Sequence, residues 1–405
     1  MISTQQASEL ILGISPTINE VEIVPLHLAL HRVLAESVVS KLDFPHWDNS
    51  AMDGYAVRWS DLQAGVDRLQ VVSEIPAGVA PTKIIEPGQA ARIFTGAMLP
   101  IGADTIIIQE NTERIGDQLQ IIEPAKAVGE FVRRQGDFAK TGDVLLIKGT
   151  RLLPASIAVL AAAQYSQVQV YRRPRVAILS TGNELVQPGD TLAPGQIVDS
   201  NQYALTALIQ QWGGEPIWLG SAPDNPQELA VMMQRAIDVA DIVLSTGGVS
   251  VGDYDYVDRV LAELGGEIQI TAVAVKPGKP LTVATFEKAG GRTLYFGLPG
   301  NPVSALVSCW RFIYLGFQQV AGIAHPQLPW SEAVTGVDLR SDNRRESYLW
   351  GRVEIKNDQQ EFVPVAGGHS SGNLINLAQA NALALLPVGQ NAIAGSVVQV
   401  LMINY

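Results

Sequence analysis

The residues best suited to chemistry lie in residues 241–256, whose sequence is DIVLSTGGVSVGDYDY. The apolar run at the start predicts a buried strand, and the change to Thr-Gly-Gly marks the end of that strand. Gly247, Gly248 and Gly252 have no Cβ atoms, so the backbone can turn sharply and its N–H groups can approach an anion. Such a loop is typical of a phosphate-binding site, although Thr-Gly-Gly by itself is also an ordinary strand-to-helix turn.

Two carboxylates, Asp253 and Asp255, follow these glycines and would repel a phosphate. A divalent cation or a lysine between the carboxylates and the phosphate would remove that repulsion. Lys276 and Lys279, in the segment VKPGKP, are the candidate lysines. The combination predicts a site for an anionic ligand rather than a simple turn.

Strands and helices alternate from residue 172 to residue 325, which predicts an α/β domain with a parallel sheet. The loops that follow parallel strands lie at one edge of the sheet, so three glycine loops should meet in one crevice. Amides at the starts of helices would add to its affinity for anions. The expected binding residues of this crevice are Thr181, Gly182, Thr246, Gly247, Gly248, Ser250, Asp253, Pro299, Gly300 and Asn301.

The flanking segments predict further domains. Residues 3–40 carry apolar residues at helical spacing and predict two helices joined by an extended segment near residues 21–24. Short strand-like runs predict a β-rich inserted domain before residue 141 and a small C-terminal β-barrel or sandwich after residue 325. The expected domains are a helical N-terminal linker domain (1–40 with 141–171), the insertion (41–140), the α/β domain (172–325) and the C-terminal domain (326–405).

Three polar segments outside the α/β domain also carry chemistry. Residues 48–56, DNSAMDGYA, group polar turn-forming side chains before a strand, and an Asx-type turn is the alternative to a functional role. Thr95 ends a strand with a hydroxyl and a backbone N–H available for contacts. Arg133 and Arg134 lie beside glycines and a carboxylate, where a solvated charge cluster is the alternative. His369, in a hydroxyl-rich loop, is expected to be structural or exposed rather than a ligand.

Composition excludes several classes of function. The chain has 405 residues, a net charge of -12, 47% hydrophobic residues and 17% charged residues, which is typical of a folded multi-domain protein. The negative charge argues against nucleic-acid and anionic-membrane partners. A single cysteine, Cys309, excludes an intrachain disulfide and is expected to be a buried structural thiol. With no signal-like N-terminus and no apolar run of about 18 residues, a cytoplasmic location is expected.

Six segments together resemble the molybdopterin molybdenumtransferase family and are similar to the E domain of gephyrin. They are DNSAMDGYA (48–56), RIFTGA (92–97), TGNEL (181–185), STGGVSVG (245–252), KPGKP (276–280) and LPGNP (298–302). The resemblance covers nearly the whole chain. It implies a reaction in which adenylyl-molybdopterin and molybdate give molybdenum cofactor and AMP, with Mg²⁺. It also implies a homodimer with shared active sites, with the molybdopterin adenylyltransferase as a candidate partner.

The resemblance also implies residue roles. Asp53 and Asp255 would act on the metal and near the phosphates, Glu184 would lie on the pterin side, and Lys276 and Lys279 would bind oxyanions. These five form the implied catalytic set. The implied substrate contacts outside the α/β crevice are Thr95, Arg133, Arg134 and Ser371.

One departure and two alternatives stay open. Where the family commonly has Arg-Gly, this chain has Trp350-Gly351, which leaves open whether Arg352 supplies the oxyanion contact. A molybdopterin adenylyltransferase would share the α/β domain but would lack residues 48–56 and the last β domain, both of which this chain has. A non-catalytic scaffold would not need acidic and lysine pairs, which cost stability when buried without partners.

Overall fold

The computed structural model describes residues 1–223, 225–248 and 257–403. Its helices are α1 (Thr4–Ile14), α2 (Trp59–Gln63), α3 (Pro154–Ala162), α4 (Asn201–Trp212), α5 (Pro226–Val239), α6 (Val257–Glu263), α7 (Pro302–Ser308), α8 (Tyr314–Val320) and α9 (Leu374–Leu377). None of the helices in this part of the chain is long and apolar enough to cross a membrane.

The strands follow in chain order. They are β1 (Val21–Pro25), β2 (Val38–Val39), β3 (Asn49–Ser50), β4 (Gly54–Val57), β5 (Arg68–Ile75), β6 (Gln89–Ile93), β7 (Thr105–Ile108), β8 (Thr112–Ile115), β9 (Gln118–Ile121), β10 (Val132–Arg133), β11 (Val144–Leu146), β12 (Gln167–Tyr171), β13 (Arg175–Thr181), β14 (Leu185–Val186), β15 (Ile197–Val198), β16 (Glu215–Ala222), β17 (Ile242–Thr246), β18 (Glu267–Ala272), β19 (Val275–Lys276), β20 (Pro280–Lys288), β21 (Gly291–Leu298), β22 (Trp330–Thr335), β23 (Glu346–Lys356), β24 (Gln359–Pro364), β25 (Ala382–Leu386) and β26 (Val397–Met402).

The chain divides into two compact units. The smaller unit comprises Ser37–Ile147 and Ala155–Ser166, and the larger unit comprises Met1–Glu36, Lys148–Pro154 and Gln167–Tyr405. Helix α3 therefore belongs to the smaller unit, together with the β-rich residues that the sequence predicts.

The smaller unit is built on a six-stranded sheet in the order β7-β4-β6-β5-β9-β8. Its neighbouring strands run antiparallel, except for the parallel pair β5 and β6. Both faces of β4 are covered, because Tyr55 and Val57 pack in one apolar cluster and Ala56 packs in another. A Cβ on Gly54 would lie 2.1 Å from the carbonyl oxygen of Ile107, so glycine is needed at the start of this strand.

The larger unit contains a six-stranded sheet in the order β16-β13-β17-β21-β20-β18. The first four strands are parallel, as predicted. The last two are antiparallel to their neighbours, which the sequence analysis did not predict. Apolar residues alternate between the two faces: Ile178 and Leu244 pack in one cluster, and Ala177 and Val243 pack in the other.

The C-terminal strands close into a five-stranded barrel. Pairings run from β22 to β26, β25, β23 and β24, and β24 returns to β22. This closure decides between the barrel and the sandwich that the sequence left open. Strand β19 pairs in parallel with the start of β23, with Lys276 opposite Ser347, so the KPGKP segment is joined to a barrel strand.

One N-terminal prediction is wrong. Helix α1 forms with a capping box between Ser3 and Gln6, and β1 forms where the extended segment was expected. The second helix does not form, because Leu26–Leu28 makes only a 3₁₀ turn and His31 has a φ of 63°. Leu34 instead makes a β-bridge with Val170, so bridging to the strands outweighs helical periodicity here.

Cys309 lies in a π-helical segment, Cys309–Ile313, between α7 and α8. Its side chain is fully buried, which confirms the expected structural thiol. Burial also raises the pKa of this thiol, so the thiolate is disfavoured in the folded protein.

Candidate functional site

The carboxyl ends of three parallel strands meet at one edge of the larger unit's sheet. Strands β13 and β17 align Ser180 with Thr246, and β17 and β21 align Thr246 with Leu298. The hydroxyl of Thr181 donates a hydrogen bond of 3.2 Å to the Thr246 carbonyl. The side-chain amide of Asn201 donates to the Gly300 carbonyl at 2.8 Å. The predicted convergence of the loops is therefore confirmed for the part of the crevice that the structure describes.

Glycine is required where these loops touch. Gly247 has a φ of +88°, and a Cβ there would lie 2.5 Å from the Thr181 carbonyl oxygen. A Cβ on Gly300 would lie 3.7 Å from the Cα of Gly247. The loops are thus packed backbone to backbone, which is the arrangement that lets N–H groups approach an anion.

Glu184 is exposed at this edge, and its carboxylate folds back over Gly182. A Cβ at Gly182, whose φ is +146°, would lie 2.6 Å from Glu184 Oε2. Gly248 also has a positive φ, of 65°, and Pro299 and Asn301 follow β21. Ser250, Asp253 and Asp255 lie outside the described residues, so their predicted roles remain predictions.

A second feature of the larger unit is a cationic cleft of about 490 Å³ beside the KPGKP segment. Residues from the α/β sheet, helix α7 and the barrel line this cleft. Its charged and polar side chains are Lys276, Lys279, Arg340, Arg345, Ser304, Ser347, Tyr348, His369 and Ser371. None of the lining residues that the structure describes is an aspartate or a glutamate, so the cleft presents a concentrated positive charge.

Asp342 orients two of these cations from the edge of the cleft. Its Oδ2 lies 3.3 Å from Lys276 Nζ and 3.3 Å from Arg345 Nη2. The backbone N–H of Arg344 donates to Oδ1 at 2.9 Å. That N–H, assisted by Lys276 and Arg345, lowers the pKa of Asp342 to about 2, so the carboxylate stays charged.

Trp350 and His369 form the apolar wall of the cleft. Trp350 is 1% exposed, and its indole N–H has no hydrogen-bond partner within the described chain. His369 Nε2 lies 2.9 Å from the Trp350 carbonyl oxygen, and the two rings meet edge to face at 4.6 Å. Burial lowers the pKa of His369, which favours the neutral ring, although the contact with the Trp350 carbonyl opposes this shift.

Arg352 does not line the cleft. It pairs with Glu354 at 2.8 Å, and its side chain is 55% exposed. Arg340 and Arg345 line the cleft instead, and the sequence analysis missed both. The available signal was the arginine-rich segment before β23, but only the pairing of β19 with β23 brings it beside Lys276.

In the smaller unit, Asp53 and Thr95 form one hydrogen-bonded pair. The backbone N–H and the hydroxyl of Thr95 each donate to Asp53 Oδ1 at 2.8 Å. These two bonds lower the pKa of Asp53 and hold its carboxylate in the charged form. The two residues come from different motifs, so the structure brings DNSAMDGYA and RIFTGA together within this unit.

The two predicted arginines of the smaller unit differ in their surroundings. Arg134 Nη1 lies 2.6 Å from Asp48 Oδ2, with both side chains partly exposed. Arg133 lies in β10, opposite Asn49 of β3. Asp48 also accepts the Gln135 backbone N–H at 2.8 Å, so this cluster fixes the loop beside residues 48–56.

No group of three or more His, Cys, Asp or Glu side chains suited to a metal ion occurs among the residues that the structure describes. Asp53 therefore belongs to no such group within the described residues.

The larger unit thus combines an α/β sheet with glycine loops at its edge, a cationic cleft and a C-terminal β-barrel. Three family models match the chain: the MoeA N-terminal region (domain I and II) at residues 2–163, a probable molybdopterin binding domain at residues 177–317, and the MoeA C-terminal region (domain IV) at residues 332–403. The chain belongs to the molybdopterin molybdenumtransferase family.

The similarity extends over whole chains. Molybdopterin molybdenumtransferase from Nostoc sp. is 50% identical over 97% of this chain and 92% of its own length. The protein of the same name from Haemophilus influenzae is 34% identical, covering 100% and 99%. A crystal structure of the molybdopterin biosynthesis moeA protein from Pyrococcus horikoshii has a TM-score of 0.82 at 28% identity and covers 100% of both chains. A second structure from this source has a TM-score of 0.76 at 32% identity, covering 99% of both chains.

Proposed function

We propose that this chain transfers molybdenum from molybdate to molybdopterin, using adenylyl-molybdopterin as substrate and releasing AMP. The single observation that carries the proposal is the cleft with two lysines and two arginines and no acidic lining residue among those described. Molybdate is a tetrahedral dianion, and side-chain N–H groups of lysine and arginine are the donors that bind such oxyanions. The relatives from Nostoc sp. and Haemophilus influenzae, matched over 92% and 99% of their own lengths, are named molybdopterin molybdenumtransferase.

Within this proposal, Lys276 and Lys279 hold the oxyanion, with Arg345 and Ser371 as further donors. Asp342 fixes the positions of Lys276 and Arg345 through contacts of 3.3 Å. Fixed donors stabilise charge without first having to reorganise, which is how electrostatic catalysis operates. Trp350 and His369 keep one wall of the cleft apolar and strengthen these contacts by excluding water.

The glycine loops are proposed to receive the phosphate-bearing substrate. The backbone-to-backbone packing of Gly247 against Thr181 supports this role, since without a side chain at Gly247 the backbone N–H groups stay accessible to an anion. Thr181, Gly182, Thr246, Gly248, Pro299, Gly300 and Asn301 complete the proposed set, with Ser250 and Asp253 assigned from the sequence. Glu184, exposed beside Gly182, is proposed to face the pterin.

Magnesium is part of the proposal, with Asp53 and Asp255 as its carboxylates. Mg²⁺ commonly uses one or two carboxylates and completes its shell with water and substrate phosphates, so a three-residue cluster is not required. The charged carboxylate of Asp53 fits this chemistry. When bound, the ion would neutralise charge on the phosphates as AMP leaves. Thr95, Arg133 and Arg134 are proposed to contact substrate from the smaller unit.

We further propose a homodimer with shared active sites, a cytoplasmic location, and the molybdopterin adenylyltransferase as a partner that supplies the adenylylated substrate. The adenylyltransferase activity itself is not favoured for this chain, because the matched models include the N-terminal and C-terminal regions as well as the molybdopterin binding domain. Light scattering coupled to size exclusion measures the oligomeric state, and a monomer at assay concentration would contradict the shared site.

The test is AMP release from adenylyl-molybdopterin by the purified chain with Mg²⁺, in the presence and absence of molybdate. We expect release that depends on molybdate and yields metal-loaded cofactor. Lys279→Gln should raise the molybdate concentration needed for half-maximal release by at least about tenfold, because it removes a charged donor. Lys356→Gln is the matched control, since Lys356 is 65% exposed and pairs with Glu361 outside the cleft.

Two outcomes would reject the proposal. Tight binding of adenylyl-molybdopterin without AMP release under any molybdate concentration would indicate a scaffold. Formation of adenylyl-molybdopterin from ATP and molybdopterin, without metal insertion, would indicate an adenylyltransferase.

A further inference from the structure

A second cationic cavity lies in the larger unit and shares no lining residue with the cleft around Lys276. Its volume is about 20 Å³. An imidazole and four guanidinium groups contribute to its wall, beside the aromatic rings of Trp212 and Phe317. These charged or titratable residues are His31, Arg32, Arg151, Arg172 and Arg173. So many cationic groups around so small a space are unfavourable unless negative charge compensates them.

Carboxylates compensate only part of this charge. Arg32 pairs with Glu22 at 2.5 Å. Arg172 pairs with Glu20 at 2.7 Å and with Asp241 at 2.8 Å. These three carboxylates compensate the charges of the two most deeply buried guanidinium groups of the cavity.

Arg151 and Arg173 are not compensated in the same way. Within the described chain, neither has a carboxylate within 4.0 Å of its guanidinium nitrogens. The contacts of Arg151 are long: its guanidinium donates to the Gln211 carbonyl at 3.3 Å and to the Tyr314 hydroxyl at 3.5 Å, and lies 3.5 Å from His31 Nδ1. Burial lowers the pKa of His31, and the charges of Arg151 and Arg173 lower it further. Burial and the charge of Arg32 lower the pKa of Arg173, and Glu22 and Glu215 offset this lowering only in part.

Two N–H groups of the cavity residues also have no acceptor. Nε of Arg32 and Nε of Arg151 are buried and make no hydrogen bond with any described residue. Arg32 is 93% buried by side-chain area, since only 7% is exposed. A buried donor without an acceptor costs free energy, and a native structure usually supplies a partner for it.

We propose that this cavity binds a monatomic inorganic anion of the size of chloride. The anion accepts hydrogen bonds from the guanidinium groups of Arg32 and Arg151 and compensates the charges of Arg151 and Arg173. The cavity has room for a ligand about as large as one water molecule or slightly larger, which excludes a nucleotide or a pterin. The site is therefore distinct in ligand and place from the proposed molybdate cleft.

The bound anion links three separate segments of the larger unit through their cationic side chains. His31 and Arg32 belong to the N-terminal segment, Arg151 belongs to Lys148–Pro154, and Arg173 lies in the turn between β12 and β13. Trp212 and Phe317 come from α4 and α8. Because the anion binds the folded arrangement of these segments, it should stabilise the folded protein by mass action.

The experiment measures the thermal unfolding midpoint as chloride or orthophosphate replaces gluconate at constant ionic strength. Gluconate is too large for the cavity and serves as the filler anion. The titration uses the full chain with Lys279→Gln, so that phosphate binding to the other cleft is weakened. We expect the midpoint to rise and saturate with chloride but not with orthophosphate, because orthophosphate is larger than the cavity. Isothermal titration calorimetry on the same protein should give one site per chain.

Arg151→Gln should weaken the apparent affinity at least about tenfold, because it removes a charged donor to the anion. Arg235→Gln, an exposed arginine of α5 in the same unit, should leave it unchanged. A midpoint that rises without saturation, equally in both variants, would mean a general salt effect and would overturn the proposal. Saturable binding that survives Arg151→Gln would place the site elsewhere and would overturn it as well. If Arg151→Gln does not fold, calorimetry on the Lys279→Gln protein still tests the proposal. The absence of stoichiometric heat with chloride would overturn it.

Discussion

The contact between the loops of Thr181 and Gly247 gives the sharpest prediction. Gly247→Ala forces a side chain into a backbone with φ of +88°, and its Cβ would lie 2.5 Å from the Thr181 carbonyl oxygen and 2.8 Å from Thr181 Oγ1. Gly189→Ala is a matched control in the same unit. Its φ is +97°, and nothing lies within 4 Å of the added Cβ.

Both variants incur the cost of a left-handed backbone, which is about 1–2 kcal/mol for a residue with a Cβ. Only Gly247→Ala adds a clash with backbone, and relieving such overpacking costs a further ~1–3 kcal/mol. We therefore expect Gly247→Ala to lower the free energy of unfolding by about 2–5 kcal/mol, against about 1–2 kcal/mol for the control.

Urea unfolding of both variants, followed by fluorescence and circular dichroism, measures this difference. The displaced loop should also raise the KM for adenylyl-molybdopterin in Gly247→Ala more than in Gly189→Ala. Equal unfolding midpoints for the two variants would refute the inference that the loops pack backbone to backbone.

Two further predictions concern titratable groups. Asp53→Asn should reduce turnover by at least about a hundredfold, because it removes the negative charge. The unfolding midpoint should stay unchanged, because the asparagine oxygen still accepts the hydrogen bonds of Thr95. Asp117→Asn, at an exposed aspartate, is the control. A variant with wild-type turnover, or one that does not fold, would contradict the role of Asp53. Burial lowers the pKa of His369, so the folded state resists protonation of this side chain. The contribution of neutral His369 to stability is therefore complete above about pH 6.5 and is lost as the pH falls toward the pKa of the folded state. His369→Gln should therefore lose less stability than wild type between about pH 7 and pH 5, and His31 should retain part of the pH dependence of stability. His325→Gln, at an exposed histidine, is the control. A pH profile of stability that is unchanged in His369→Gln would refute the role of His369.

The charge of this chain is distributed very unevenly. The net charge is -12, yet two cavities of the larger unit are lined by cationic side chains without acidic lining residues among those described. A negative surface with local positive cavities disfavours extended polyanions such as nucleic acids but still attracts small anions. This pattern accords with a substrate and a co-substrate that are both anionic.

Much of the fold was predictable because local periodicity and the buried sheet favour the same structure. The strand at β17 and the glycine stop after it form where the sequence predicts them, and helices such as α4 alternate with the strands as predicted for residues 172–325. The prediction of a second N-terminal helix was wrong, because Val33 and Leu34 make β-bridges instead and His31 has a positive φ, outside the helical range. The antiparallel strands β18 and β20 were missed because apolar runs do not specify strand direction.

The sequence by itself determined the chemistry of the loops, since glycines, hydroxyl groups and lysines at short spacing restrict what a segment can bind. It also determined that strands and helices alternate over residues 172–325. Only the tertiary structure decided which cations share a cleft, because the pairing of β19 with β23 joins segments about seventy residues apart in the chain and brings Arg345 beside Lys276. Such long-range pairing depends on the packing of the whole unit, and no local pattern contains it.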